Sequence, residues 1–214
     1  MSIRETIARI NGLITNFVVR ISRSETKDLV INHEIPGVTP QMIDTWWLIM
    51  SDTETYKLWH PNDHFWARLE IKQEAGKTTA TQHVLENIGG IPSLLHLRLE
   101  DSNTTSIPQE YSHVFAASSL DNAGIPYAWI IHQYEEIPGG TRMRSTFRIP
   151  LRTPGFFVSA LRRHNQEEMS QFPKFLPELC KKTIPHSKSR QINFLDIKKH
   201  PTYSSATEID CSSK

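Results

Sequence analysis

The sequence contains only two cysteines, Cys180 and Cys211, among its 214 residues. One such pair near the C-terminus is not a disulfide framework of the kind that stabilises small secreted domains. We therefore expect a reducing compartment, and the cytoplasm is the location that the sequence favours. Four arginines within the first 23 residues resemble a mitochondrial transit peptide, but Glu5 and the lack of a clear cleavage region argue against one.

The chain also lacks long apolar runs and an excess of either charge. No run approaches the roughly 20 apolar residues that are needed to span a bilayer, and the N-terminal stretch 10–21 is interrupted by Asn11, Asn16 and Arg20. The 24 basic residues are balanced by 23 acidic ones, and no basic stripe stands out. The sequence therefore predicts a soluble protein with no membrane partner and no nucleic-acid partner.

The length and composition are those of one ordinary globular domain. Hydrophobic residues make up 38% of the chain and charged residues 22%, and we find no internal repeat. We expect an N-terminal lead-in over 1–35, with a short helix followed by a strand around 29–31, and a folded domain over 36–182. The segment 183–214 turns to Ser, Lys, Thr and Pro, which predicts a polar, mobile tail.

Within the domain the pattern predicts strands followed by one long helix. Thr39 and Pro40 are typical of the start of a helix, which we expect over 40–50. The hydrophobic period becomes helical again over 155–179, with a bend expected near Pro173. Between these helices, strand-like stretches separated by turn-forming residues are expected at 65–73, 78–87, 94–100, 110–118, 127–136 and 141–149. The fold class predicted is α+β, in which a curved antiparallel sheet grips the C-terminal helix around a ligand cavity.

The predicted C-terminal helix carries His164 and Glu168, which lie four residues apart and so project from the same face. That face also carries Leu161 and Phe172, so both polar side chains point toward the core. A buried carboxylate without a partner is costly, and a metal ion would supply one. The alternative is a surface ion pair on a solvated helix face.

Two other segments carry metal-ligand residue types. His60 and His64 flank a tight turn in a polar, aromatic loop that could present a ligand at the cavity mouth, or could simply be solvated. Glu86 shares a strand face with apolar neighbours, although an exposed edge position would also explain it. Two imidazoles and two carboxylates from a loop, a strand and a helix suit Zn²⁺, with Mn²⁺ and Fe²⁺ as alternatives.

Several stretches of the sequence match a known family when they are taken in order. They are 37–47, 56–64 (YKLWHPNDH), 86–90 (ENIGG), 132–136 (HQYEE), 142–147 (RMRSTF) and 164–179. By these stretches, the chain resembles the 2,4-diacetylphloroglucinol hydrolase family, which includes phloretin hydrolase. The resemblance covers residues 36–180.

The resemblance implies a helix-grip fold, related to the pollen-allergen (Bet v 1-like) and START-like domains, with a catalytic zinc ion. Members of the family hydrolyse the carbon–carbon bond between an aromatic ring and its acyl group, which is a retro-Claisen reaction. The partner expected is therefore a small aromatic ketone or a polyketide-like substrate, and a homodimer is left open. The two His and two Glu zinc ligands of the family correspond to His64, Glu86, His164 and Glu168.

The resemblance also assigns residues around the substrate. A family tyrosine eight residues before the first ligand corresponds to Tyr56, which is why His64 is chosen over His60. A second tyrosine and a histidine near the substrate correspond to Tyr127 and His113.

One departure from the family leaves other functions open. A family asparagine three residues after the first ligand is replaced by Ala67, which removes a hydrogen-bonding group. A metal-dependent cyclase or isomerase acting on a polyketide-like compound is therefore a second hypothesis. A non-enzymatic carrier of a small ligand is a third, although a carrier does not require two carboxylates at its cavity.

Overall fold

The computed structural model describes residues 3–74 and 76–183. Its elements are, in chain order, α1 Ile3–Ser22, β1 Thr26–Pro36, α2 Pro40–Ile49, α3 Thr53–Trp59, β2 His64–Glu74, β3 Lys77–Ile88, β4 Ile91–Leu99, β5 His113–Leu120, β6 Pro126–Ile137, β7 Gly140–Pro150 and α4 Gly155–Thr183, with one 3-10 turn at Ser102–Thr104. The tail predicted over 183–214 lies, except for its first residue, outside the described residues, and so does Cys211.

The strands of the described chain form one antiparallel sheet in the order β1-β7-β6-β5-β4-β3-β2. Each strand from β2 onward pairs with its neighbour in sequence, whereas β1 pairs with β7 at the far edge. The sheet is curved, and α4 is the C-terminal helix that it grips. The predicted helix-grip fold is therefore confirmed.

Two short helices close one end of the grip. The predicted helix over 40–50 is α2, and Thr39 caps it by accepting a hydrogen bond from the Met42 N–H. Helix α3 was not predicted, because seven residues are too few for a helical period to show. It is capped by Asp52, whose side chain accepts from the Thr55 N–H at 2.9 Å.

An aromatic cluster joins these two helices to α4. The rings of Trp46 and Trp59 are 6.0 Å apart in an edge-to-face arrangement, and Trp46 meets Phe172 in the same way at 6.2 Å. Such pairs add to the stabilisation that burial of the rings provides. Helix α4 continues through Pro173 to Thr183, four residues beyond the predicted end.

Helix α1, with 20 residues, is longer than the short helix that the sequence predicts within the lead-in. The Asn11 amide donates to the Pro92 carbonyl at 2.8 Å, and the Ser22 hydroxyl accepts from the Arg152 N–H at 3.0 Å. The helix thus reaches from the β7–α4 connection across to β4. No helix within residues 3–74 and 76–183 is long and apolar enough to cross a membrane.

The turn between β3 and β4 sets the distance between the sheet and α4. Gly89 has φ +64°, and a Cβ atom on it would lie 2.5 Å from the Ala160 Cβ. Only glycine allows this contact. Any other residue would place its Cβ against the helix and would also be strained at this positive φ. Gly90 has φ +82°, but a Cβ there would meet nothing within 4 Å.

We expect Gly89→Ala to lower the free energy of unfolding by roughly 2–5 kcal/mol, since it combines left-handed strain with overpacking against α4. Gly90→Ala is the matched control and should cost only the strain, about 1–2 kcal/mol. Urea unfolding of both variants measures the difference. Equal losses in the two variants would show that the contact with Ala160 is not tight.

Candidate metal centre

The four residues predicted as metal ligands come together from three elements. His64 is the first residue of β2 and pairs across the sheet with Glu86 on β3. His164 and Glu168 lie one turn apart on α4. One donor atom from each residue lies within 4.8 Å of the others, so the four could hold a metal ion.

The donor atoms of this group face one another at short range. His64 Nε2 lies 3.2 Å from Glu168 Oε1 and 3.6 Å from Glu86 Oε2. His164 Nε2 lies 3.8 Å from Glu86 Oε1 and 3.6 Å from Glu168 Oε1. All four side chains are buried, and His64 has no exposed surface.

The hydrogen bonding of His64 fits a cation at this point. Its Nδ1 lies 3.0 Å from the Tyr56 carbonyl oxygen, which can only accept, so Nδ1 carries a proton. In the neutral ring the Nε2 lone pair then faces two carboxylates. Within the described chain, the Nε2 atoms of His64 and His164 are both buried without a hydrogen-bond partner. A divalent ion would satisfy these nitrogens and neutralise the two carboxylates.

The pKa values of His64 and Glu168 reflect the charges that these residues place next to one another. Burial lowers the pKa of His64, but the carboxylates of Glu168 and Glu86 outweigh burial and raise this pKa overall. Burial likewise raises the pKa of Glu168, and the imidazoles of His164 and His64 outweigh it, so this pKa is lowered. A site that attracts a proton in this way also attracts a metal cation.

Tyr56 lies against the ligand group. Its hydroxyl donates to Glu86 Oε2, and its ring stacks on the His64 ring with centroids 3.8 Å apart. Burial and the nearby Glu86 raise the pKa of Tyr56 well above its usual value, so the hydroxyl keeps its proton. Tyr56 therefore orients one carboxylate of the group, and it also lines the cavity described below.

His60 lies beside the ligand group and forms a second set of contacts. Its Nε2 is 3.2 Å from Glu167 Oε2, and its ring stacks on the His164 ring at 5.0 Å. Asp63 Oδ2 lies 4.0 Å from His164 Nδ1. These residues surround the outer edge of His164, while His64 occupies the inner position.

A cavity of about 300 Å³ opens next to the ligand group. Glu86, His164 and Glu168 form part of its wall. Most of the remaining wall is apolar and aromatic. It comes from the sheet and from all four α-helices, and includes Ala8, Val18, Trp47, Trp59, Leu97, Phe115, Phe147 and Leu161. A small organic molecule in this cavity would therefore contact the metal-ligand residues at one end and apolar side chains elsewhere.

The other two residues that the resemblance assigns near the substrate, Tyr127 and His113, have different surroundings from each other. Tyr127 lines the cavity, and burial raises its pKa. His113 is not among the described cavity-lining residues, because α2 covers this end of β5 and its Nδ1 bonds Asp44 Oδ2 at 2.8 Å. Asp44 also accepts from the Tyr134 hydroxyl at 2.5 Å.

A different histidine, His132 on β6, does line the cavity. His132 is 2% exposed, its ring stacks on Trp47 with centroids 5.4 Å apart, and its Nδ1 lies 2.8 Å from the Ser145 hydroxyl. Burial lowers its pKa to about 4, so it is neutral at pH 7. Strand alternation puts His132 on the face of Ala128 and Ile130, and this buried polar position was the signal available in the sequence.

A family model described as DAPG hydrolase PhiG domain matches residues 26–153. The chain has no significant match among curated protein sequences.

Solved structures with a similar fold include three at low sequence identity. Ara h 8.0201 is 11% identical, with a TM-score of 0.49 over 72% of this chain and 99% of that one. Protein Ms6760 from Mycobacterium smegmatis is 17% identical, with a TM-score of 0.41 over 72% of this chain and 98% of that one. The AHSA1-like protein from Aeromonas hydrophila is 13% identical, with a TM-score of 0.41 over 69% of this chain and 92% of that one.

We expect Tyr56→Phe to weaken Zn²⁺ binding by roughly 10–100-fold, because Glu86 loses the hydroxyl that orients it. Competition with a chromogenic chelator measures the affinity. Tyr127→Phe removes a hydroxyl from the same cavity away from Glu86 and should leave the affinity unchanged. An unchanged affinity in Tyr56→Phe would mean that the hydroxyl does not support the site.

The choice between the two histidines of the loop can be tested by metal analysis. His64→Ala and His164→Ala should each lose stoichiometric Zn²⁺ after dialysis, because each removes one nitrogen donor. His60→Ala should keep its metal, since Glu167 is its main partner. Retention in His64→Ala together with loss in His60→Ala would exchange their roles, and circular dichroism confirms that each variant is folded.

Proposed function

We propose, since the chain belongs to the DAPG hydrolase family, that it is a zinc-dependent hydrolase acting on a small aromatic ketone. The bond cleaved would be the carbon–carbon bond between a phloroglucinol-like ring and its acyl group. The observation that carries the proposal is the buried group of two histidines and two glutamates in the wall of an apolar cavity. Neither a plain hydrophobic carrier nor a structural ion pair requires such a group.

The four buried residues would hold the metal ion. His64 and His164 supply nitrogen donors and Glu86 and Glu168 supply oxygen donors, a set that suits Zn²⁺, with Mn²⁺ and Fe²⁺ as the alternatives. When bound, the ion supplies a Lewis acid that polarises the acyl carbonyl and lowers the pKa of water toward about 7.

The reaction consumes one water molecule. Its oxygen joins the acyl carbon, the bond from the acyl carbon to the ring carbon breaks, and the electron pair moves to the ring. The flanking phenolic oxygens delocalise that charge until the ring carbon takes a proton. The products are one carboxylic acid and one deacylated ring.

The cavity walls supply the groups that orient such a substrate. Tyr127 keeps its proton because burial raises its pKa, and it can donate to a phenolic or carbonyl oxygen. His132 faces the same cavity as a neutral imidazole. We assign substrate contact to these two residues rather than to His113, whose Nδ1 is bonded to Asp44. The apolar walls around them would exclude bulk water from the charged ring intermediate.

The reaction is tested by incubating zinc-loaded protein with a panel of acylphloroglucinols in ¹⁸O-labelled water. We expect a deacylated ring and a carboxylic acid that carries the label, while the ring hydroxyls carry none. His164→Ala is the inactive control and His60→Ala the active one. Mass spectrometry of both products gives the answer.

Two other outcomes would replace the proposal. An unlabelled product isomeric with its substrate would establish a cyclase or isomerase. Binding of the compounds by fully metal-loaded protein without any product would establish a carrier.

A further inference from the structure

Three polar side chains connect the ligand group to His132, and two of them, Asn165 and Ser145, are buried while His33 is half-buried. Asn165 Nδ2 donates to Glu168 Oε2 at 3.3 Å, and Asn165 Oδ1 lies 3.0 Å from His33 Nε2. His33 Nε2 is also 3.2 Å from the Ser145 hydroxyl oxygen, which lies 2.8 Å from His132 Nδ1. Asn165 and Ser145 have no exposed surface, so water cannot replace these partners.

The two oxygens of Glu168 divide between two tasks. Oε1 faces the imidazoles of His64 and His164 at 3.2 and 3.6 Å. Oε2 faces Asn165. The carboxylate that helps to form the metal site is therefore also one end of the hydrogen-bonded chain.

The donor and the acceptor of every hydrogen bond in this chain follow from the Glu168 carboxylate at its end. A carboxylate only accepts, so Asn165 must present its NH₂ group to Glu168 and its oxygen to His33. His33 Nε2 must then carry a proton, and the Ser145 oxygen cannot donate back to it.

The remaining step fixes the last imidazole of the chain. The Ser145 hydroxyl proton is left for His132 Nδ1, which must accept it. Burial lowers the pKa of both His33 and His132, so each ring is neutral at pH 7 and carries one proton. In His132 that proton is on Nε2.

We propose that Asn165, His33 and Ser145 are positioning residues that hold His132 as the Nε2–H tautomer, which makes it a hydrogen-bond donor to a ligand in the cavity. Nδ1 faces Ser145 and Trp47 covers the ring, so Nε2 is the nitrogen that remains for the cavity. Its partner must be an acceptor, such as a carbonyl or phenolate oxygen. That last identification rests on the proposed hydrolase function, whereas the tautomer does not.

The tautomer can be read directly by NMR. Long-range ¹H–¹⁵N correlation spectra of zinc-loaded, ¹⁵N-histidine-labelled protein distinguish Nδ1–H from Nε2–H rings, and His132→Gln assigns the signal. We expect His132 to be the Nε2–H form at pH 7. An Nδ1–H ring would overturn the proposal, whether or not the protein is a hydrolase.

Variants test the role of the chain. Ser145→Ala removes the hydroxyl that donates to Nδ1, so the His132 signal should change to a mixture of tautomers, while Ser145→Thr should restore the Nε2–H form. His33→Gln keeps an N–H donor beside Ser145 and should preserve the Nε2–H form of His132. An unchanged His132 tautomer in folded Ser145→Ala would overturn the proposal, and so would a mixture in Ser145→Thr or His33→Gln.

A kinetic measurement separates positioning from general stability. Should the hydrolase assay succeed, Ser145→Ala should lose roughly two- to twelve-fold in kcat/KM, the value of one neutral hydrogen bond, with metal content unchanged. Ser145→Thr should recover this loss. A loss in Ser145→Ala that comes with lost metal would mean a structural role instead and would count against the proposal.

Discussion

The burial of two carboxylates beside two imidazoles is the constraint on which the rest of this structure depends. Glu86 and Glu168 are removed from water at the end of an apolar cavity, and an uncompensated charge there would cost several kcal/mol. Their compensation requires β2, β3 and α4 to be held in one geometry. The cross-strand pairing of His64 with Glu86 provides one half of that geometry. The i,i+4 spacing of His164 and Glu168 provides the other.

The packing of the domain supports this geometry from two sides. The turn at Gly89 lets α4 approach β3 through Ala160, one helical turn before His164. At the closed end, the edge-to-face cluster of Trp46, Trp59 and Phe172 joins α2 and α3 to α4. Helix α3 positions Tyr56, whose hydroxyl donates to Glu86 and whose backbone carbonyl accepts from His64. The candidate metal-ligand group is therefore held by contacts that reach from the β3–β4 turn to the aromatic core.

The two walls of the cavity are not independent of each other. One oxygen of Glu168 faces the two histidines of the ligand group, and the other accepts a hydrogen bond from Asn165. From Asn165 the hydrogen bonds continue through His33 on β1 and Ser145 on β7 to His132. The edge strand β1 thus does more than complete the sheet, because it carries His33, which connects Asn165 to Ser145 in the hydrogen-bonded chain.

The sequence by itself determined the elements whose signals are local. The cap at Thr39, the helical period after residue 155 and the alternation of the strands predicted the helix-grip fold, and the i,i+4 spacing brought His164 and Glu168 to one face. The resemblance placed His64 and Glu86 in one ligand set with these two residues, a link that no local pattern contains. Helix α3 and the full length of α1 were missed, because a short helix shows no period and α1 gains its contacts from β4 and Arg152 far along the chain.

Only the tertiary structure decided which polar side chains share the cavity. His113 and His132 both lie on strands. Helix α2 covers the end of the sheet where His113 bonds to Asp44, whereas His132 faces the cavity. The place of Tyr56 at Glu86 and the chain through His33 likewise join residues 30 to 132 positions apart. Contacts between distant segments depend on how sheet and helices pack, and the spacing of residues along one strand or helix carries no information about them.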